Sequence, residues 1–469
     1  MPTIDNPDST LGLTFPEGFG WGTATASYQI EGAVDVDGRS PSIWDVFSHT
    51  PGMITDGSTG DRADDHYRRW PEDVALMADL GVNFYRFSLA WPRLQPEGRG
   101  ELNAAGLDFY ARLVDGLLER GITPWVTLYH WDLPQVLEDA GGWPERDIAY
   151  RFADYSERVF ARLGDRVSHW TTLNEPFCAG LLGYAAGVHA PGRHEPISGI
   201  RAVHHLLLGH GLALDALRPP STPDHQFGLT LNLSPVSPAT DSEADVDASR
   251  RIDALANRLF LDPVLLGRYP DDLVQDLEPL MSFDHVRDGD LEHIGQPIDL
   301  LGVNYYMPFR AKAGAGHKYH NTPYVGAGDV DFQASGRPTT ARGWEIDPGG
   351  LYELLMRLTR DYHAPPLWIT ENGAAYHDRP DSDGAVHDPD RIAYLDGHFR
   401  AAHRAIQDGV DLRGYFIWTL IDNFEWSYGE SSRFGLVHVD YDTQRRTPKD
   451  SAHWFAQVTR RNGLPATAP

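Results

Sequence analysis

Apolar positions along the chain recur in two alternating modes, short continuous runs and longer stretches at helical spacing. Between Pro71 and Gly81, Val74, Met77 and Ala78 fall three and four apart, which predicts an amphipathic helix, and the aromatic-rich run at 82–90 that follows reads as a strand. The unit then repeats. Asn103 stands where a cap belongs, Leu107, Tyr110, Ala111, Val114, Leu117 and Leu118 form one apolar face before Gly121, and residues 122–128 are again strand-like. Carried through, the alternation yields candidate strands near 20–28, 82–89, 123–129, 169–173, 227–233, 300–305, 367–370 and 414–420. These strands, separated by helices without a composition break or Ser/Gly linker, predict an α/β fold: one (β/α)8 barrel over residues 15–459 with elaborated loops at its C-terminal face, a tail at 1–14 and another at 460–469. A doubly wound sheet would need a Gly-rich phosphate loop after its first strand, and the sequence has none. The segment 308–342, rich in Gly, polar residues and Tyr, exceeds a minimal connection and is expected as an elaborated loop beside the site.

Composition narrows the class. With 41% hydrophobic and 11% aromatic residues, 469 residues suffice for one large core. A formal charge of −27 with no basic stripe excludes nucleic acid and anionic membrane surfaces as partners. Lys312, Lys318 and Lys449 are the lysines, so the positive charge is almost entirely arginine. A single cysteine, Cys178, rules out an intrachain disulfide and a cysteine-built zinc site. Residues 1–20 lack an apolar signal region, and no run of about 18 apolar residues occurs, so a cytoplasmic protein is expected. His204, His205 and His210 sit in an apolar helical stretch and read as packed histidines.

In such barrels reactive side chains leave the C-terminal ends of the strands, so the residues ending each run carry the functional reading. The first strand leads to Gln29 and Glu31, the second contains Arg86, and the third ends in His130-Trp131-Asp132. The fourth ends in Asn174-Glu175-Pro176, the sixth in Asn304-Tyr305-Tyr306 and the seventh in Glu371-Asn372-Gly373; the eighth carries Trp418 before Asp422-Asn423-Phe424-Glu425-Trp426. Carboxylates, amides, an imidazole and indoles thus converge on one mouth. Hydrolysis of a glycosidic bond requires one carboxyl to protonate the leaving oxygen and a second to attack the anomeric carbon or activate water. Glu175 and Glu371 fit that pair, although a Glu after a strand is also an ordinary solvated loop residue. The aromatic and amide residues favour a sugar, since indole faces stack on pyranose rings while amides and carboxylates grip vicinal hydroxyls.

Seven segments in order resemble glycoside hydrolase family 1 over nearly the whole chain: the run from Phe19 to Gly32, Tyr85-Arg-Phe-Ser88, Tyr129-His-Trp-Asp-Leu-Pro134, Thr172-Leu-Asn-Glu-Pro176, Asn304-Tyr-Tyr306, Ile369-Thr-Glu-Asn-Gly373 and Asp422-Asn-Phe-Glu-Trp426. The resemblance implies a retaining β-glycosidase, first of all a β-glucosidase acting on terminal non-reducing β-D-glucosyl residues, with galacto or fuco specificity and glycosyl transfer left open. It implies Glu175 as acid/base and Glu371 as nucleophile, supported by Arg86, Asn304 and Tyr306. Gln29, His130, Trp131, Asn174, Glu425 and Trp426 are implied as glycone binders, Trp418 as a stacking platform, and Trp344 and Phe434 as further substrate contacts, Trp344 on the leaving-group side. Phe177, Cys178 and Leu182 are expected along the aglycone channel with Trp344, giving it an apolar preference. Neither cofactor nor metal is expected, and the partners are small-molecule β-glycosides or short β-linked oligosaccharides; a homo-oligomer is not readable. Relatives acting on 6-phosphorylated sugars replace the Glu at position 425 and supply a nearby lysine; Glu425 is present here, 426–436 contains no lysine, and a free 6-hydroxyl is expected. The electrostatic expectation is a protonated Glu175, raised by burial and by Glu371, beside a Glu371 held ionised by a cation and a phenol.

Overall fold

The computed structural model describes residues 12–314 and 321–466. Eight parallel strands close a barrel in sequence order: β1 (Gly20–Ala24), β2 (Phe84–Ser88), β3 (Thr123–Tyr129), β4 (His169–Asn174), β5 (Gln226–Asn232), β6 (Leu300–Asn304), β7 (Leu367–Asn372) and β8 (Leu412–Trp418), with β8 pairing back onto β1. The strands are nearly all buried on both faces, barrel interior on one side and helices on the other, which is why they read as continuous apolar runs. The helix His66–Leu80 stops at Gly81, whose φ of 70° lies in the left-handed region, and Asn103 caps Ala104–Leu118 by accepting from the Ala105 amide at 3.3 Å.

The floor of the barrel is aromatic. Trp368 packs against Trp125 and Phe84 at ring-centroid distances of 5.1 and 5.2 Å, and Phe416 lies 5.3 Å from Trp125. Room for these rings comes from glycines on β8 and β1: a Cβ on Gly414 or Gly20 would lie 2.2 or 2.3 Å from the Trp368 ring. Reactive groups are therefore confined to the opposite, C-terminal end.

Several boundaries differ from expectation. β1 ends at Ala24 rather than 28, because Ser27–Ile30 turns into a short helix whose first amide donates to Ser88 Oγ at 2.8 Å, while Ser27 Oγ donates to Asp132 at 2.6 Å. Gln29 consequently sits on a turn above the barrel. β7 runs on to Asn372, so Glu371 lies on the strand itself. The expected loop at 308–342 contains strands, Phe309–Ala313 and Val330–Phe332, which join Val236–Pro238 in a three-stranded sheet; residues 315–320, including Lys318, lie outside the described residues. The expected tails also contribute structure, since Leu13–Thr14 pairs with Gly463–Leu464 and the last helix, Asp450–Arg461, runs past 460. No helix among the described residues is long and apolar enough to cross a membrane.

Candidate active site

The strand pairing loses its regular register where the polar ends begin, between Thr171 and Asn174 on β4 and between Ile369 and Glu371 on β7. Such irregularities re-aim side chains. Glu175, Trp131 and Trp426 also have left-handed backbones, with φ of 47°, 83° and 50°. A non-glycine residue in that region costs about 1 kcal/mol or more, so the surrounding contacts must hold each one in place.

Glu371 is anchored on both oxygens: Arg86 Nη1 donates to Oε1 at 2.7 Å and the Tyr306 hydroxyl to Oε2 at 2.8 Å. The same guanidinium donates through Nη2 to Asn174 Oδ1 at 2.5 Å. Glu175 receives Asn304 Nδ2 at 2.6 Å on Oε1 and the Cys178 thiol at 3.0 Å on Oε2. Asn304 Nδ2 also donates to Asn174 Oδ1 at 3.1 Å, so one amide ties Glu175 to the Asn174 side chain that Arg86 holds, and Thr370 Oγ1 fixes that amide by donating to its Oδ1 at 2.8 Å.

Burial pushes Glu175 up to about 7, with the charge of Glu371 adding to it and the Asn304 hydrogen bond opposing. Glu371 also lies above the ordinary carboxylate range because it is buried. Arg86 and Tyr306 act against that burial, and no cation contacts Glu175 among the described residues, so Glu371 is the carboxyl that ionises first. A third carboxyl, Glu425, is pushed up to about 8 by burial and by Glu371. Burial, reinforced by Arg86, holds His130 well below its ordinary range and thus neutral.

These groups border a cavity of ≈ 260 Å3 at the C-terminal mouth. His130, Trp131, Glu175, Asn304, Tyr306, Trp344, Glu371, Trp418, Glu425, Trp426 and Phe434 all line it, as do the expected channel residues Phe177, Cys178 and Leu182. Gln29, Asn174 and Arg86 do not; they form the layer behind. Gln29 Nε2 donates to the Phe424 carbonyl at 2.9 Å and reaches Glu425 at 3.4 Å, while its Oε1 has no partner among the described residues. Asn174 joins Arg86 to His130, whose Nε2 lies 3.0 Å from its Nδ2. Trp131 spends its indole N–H on the Asn174 carbonyl at 2.8 Å and offers the cavity its ring, packed 4.4 Å from Trp426. Trp418 stacks on His130 at 5.8 Å, and Trp344 closes the far side against Tyr306 at 5.4 Å and Phe434 at 5.9 Å.

Some lining residues are absent from the sequence reading. Asn232 ends β5, and the rule applied to the other strand ends finds it there. His189 enters from a loop and Tyr428 from the short helical turn Trp426–Ser431, neither of which any periodicity marks. The histidines of the apolar helix Pro196–Leu217 are committed elsewhere: His204 to Tyr269 and Asp290, His205 to the Trp143 carbonyl, His210 to Thr172.

Comparison with known proteins agrees with this geometry. The Glycosyl hydrolase family 1 model matches residues 12–464. The thermostable β-glucosidase B of Thermobispora bispora is 55% identical over 462 residues, covering 97% of this chain and 93% of that protein. A bifunctional β-D-glucosidase/β-D-fucosidase of Bifidobacterium breve is 50% identical over 455 residues, 94% of this chain and 97% of that one. Among solved structures, a family 1 β-glucosidase from Thermotoga maritima superposes with a TM-score of 0.92 at 46% identity, covering 97% of this chain and 99% of that one. With a matching family model over almost its entire length, an eight-stranded parallel barrel and two carboxyls at the ends of β4 and β7, this chain belongs to glycosyl hydrolase family 1.

Proposed function

We propose that the protein is a retaining β-glucosidase that releases terminal non-reducing β-D-glucosyl residues from small β-glycosides and short β-linked oligosaccharides. The observation that carries the reading is the unequal treatment of the two carboxyls: Glu371 faces a guanidinium at 2.7 Å and a phenol, while Glu175 has the neutral Asn304 amide and Cys178 thiol as partners and is pushed up to about 7. Glu371 attacks the anomeric carbon as Glu175 protonates the departing oxygen, leaving a glycosyl ester on Glu371. Esterification removes the Glu371 charge that helped keep Glu175 protonated, so Glu175 takes a proton from the incoming water, which displaces Glu371 and restores the β-configuration. Glu425, Trp426, Trp418 and His130 hold the glycone, with Gln29 and Asn174 fixing them from behind, and Trp344 and Phe434 face the aglycone.

The β-glucosidases among its relatives support glucose as the glycone, and the Bifidobacterium breve relative favours a second activity on β-D-fucosides. A buried, unpaired cysteine suits the reducing cytoplasm. Proton NMR of an aryl β-glucoside during the first turnovers tests the reading: β-glucose appears first and mutarotates afterwards. First-formed α-glucose would mean that a water, not Glu371, attacks the sugar.

A further inference from the structure

Two loops on opposite sides of the cavity are joined by a side chain that does not line it. Residues 339–345 form a tight hairpin: Thr339 and Glu345 pair antiparallel, the Thr340 amide donates to the Trp344 carbonyl at 2.9 Å, and Gly343 turns the chain with a φ of 75°. Trp344 on this hairpin lines the cavity, and Arg342 stands in its turn. Across the rim, Glu425 opens the short turn Trp426–Ser431. The Glu425 amide donates to the Gly429 carbonyl at 2.8 Å and its carbonyl accepts from the Tyr428 amide at 2.9 Å, so Tyr428 and Glu425 are fixed to each other. The Arg342 guanidinium lies over the Tyr428 ring, 3.2 Å from its centroid, and its Nη1 donates to Ser432 Oγ at 3.4 Å, just past the end of the same turn. Among the described residues its Nε is buried without a partner and no carboxylate forms an ion pair with it, so its charge is left to act on the mouth.

Glu425 is the carboxyl within its reach. Glu371 and Glu175 both oppose the ionised form of Glu425, the uncharged Trp418 indole favours it, and Arg342 supplies the opposing positive charge. Tyr306 and Cys178, which also feel Glu425, are neutral. We propose that Arg342 is a positioning residue for the glycone, clamping the turn that begins at Glu425 and serving as that carboxyl's counter-charge from the opposite loop. The proposal rests on the β-glucosidase reading, in which Glu425 holds the sugar, and adds to it a residue outside the cavity wall. An ionised carboxyl accepts hydrogen bonds from sugar hydroxyls on both oxygens, whereas a protonated one spends an oxygen as donor. Stacked on Tyr428 rather than paired with Glu425, Arg342 favours the ionised form without occupying hydrogen-bonding positions on its oxygens.

The test compares kcat and KM for nitrophenyl β-D-glucoside and β-D-xyloside, the second lacking the hydroxymethyl group whose hydroxyl Glu425 is expected to hold. The proteins are the wild type, R342Q, R342K, E425Q and the E425Q/R342Q double variant, with melting temperatures as the control for folding; R342M replaces R342Q if that variant folds poorly. In R342Q the glucoside-to-xyloside ratio of kcat/KM should fall roughly fivefold, within the usual range of coupling between neighbouring groups, mainly through KM for the glucoside, and R342K should recover most of it. In the E425Q background the same change should leave the ratio where E425Q alone put it, because the carboxyl that Arg342 serves is gone. A residue that only supported the loop would weaken both substrates alike and add its effect to that of E425Q. A ratio unchanged in R342Q, or one that falls as far with E425Q as without it, overturns the role of Arg342 and leaves the β-glucosidase reading intact. No turnover of the glucoside by the wild type overturns that reading and the proposal with it.

Discussion

The two ends of the barrel are built from the same strands to opposite rules. At the N-terminal end Trp368, Trp125, Phe84 and Phe416 fill the interior around glycines, and even His169 on β4 is held neutral, down to about 4, by its burial among these rings. At the C-terminal end, one strand length away, Glu175, Glu371 and Glu425 border a cavity and all lie above the ordinary carboxylate range. Burial of ionisable groups is common to both ends. They differ in compensation: the floor avoids charge, while the mouth keeps it and answers it with Arg86, Tyr306 and Asn304. A rigid apolar floor lets the mouth hold strained backbone and unfavourable charge that a less supported site would relax away.

If this division holds, changes at the mouth remove catalysis and changes at the floor remove stability. The largest effect is expected for Glu371→Gly, with kcat falling by roughly four orders of magnitude. Stability should fall less than in the floor variant below, since the buried Arg86 guanidinium loses its counter-charge but keeps Asn174 as a partner; added azide should restore part of the turnover and give the α-glycosyl product. An equally large loss of stability would mean that Glu371 and Arg86 hold the barrel together as much as they serve chemistry.

Trp368→Ala reverses the pattern. Deleting a buried indole from the floor should cost about 3–5 kcal/mol in stability, read by denaturant unfolding, while kcat per folded molecule changes little at a temperature where the variant remains native. A large fall in kcat would show that floor packing reaches the mouth through β7, which carries both Trp368 and Glu371.

The smallest effect sharpens the electrostatic side. Glu175 must carry a proton to act as acid, and its folded-state value is raised, so the active form prevails below about 7 and is lost above it. The kcat/KM of substrates with poor leaving groups should therefore fall roughly tenfold per pH unit on the alkaline side, and Glu175→Ala should abolish that limb while sparing activated aryl glucosides most. An alkaline limb that survives in Glu175→Ala belongs to another group.

Much of this could be read from the chain. Continuous apolar runs and helical periodicity located the strands, because a strand buried on both faces has to be apolar throughout and its covering helix has to be amphipathic. Asn103 and Gly81 marked helix ends for local reasons that need no partner. The strand-end rule brought Glu175, Glu371, His130, Asn304 and Trp418 to one mouth, since a closed parallel barrel sends all its C-terminal ends the same way.

Tertiary structure decided what depends on who stands next to whom. Only in space does the Asn304 amide reach Glu175 while the Arg86 guanidinium contacts Glu371, and only there do Gln29 and Asn174 fall into the layer behind the cavity wall. The charge state of Glu371 turned on the same point: the sequence names a cation and a phenol, but the extent of burial opposing them is a property of the closed site. His189 comes from a loop and Tyr428 from the short helical turn Trp426–Ser431, whose positions follow from packing against distant segments and leave no periodic trace in the chain.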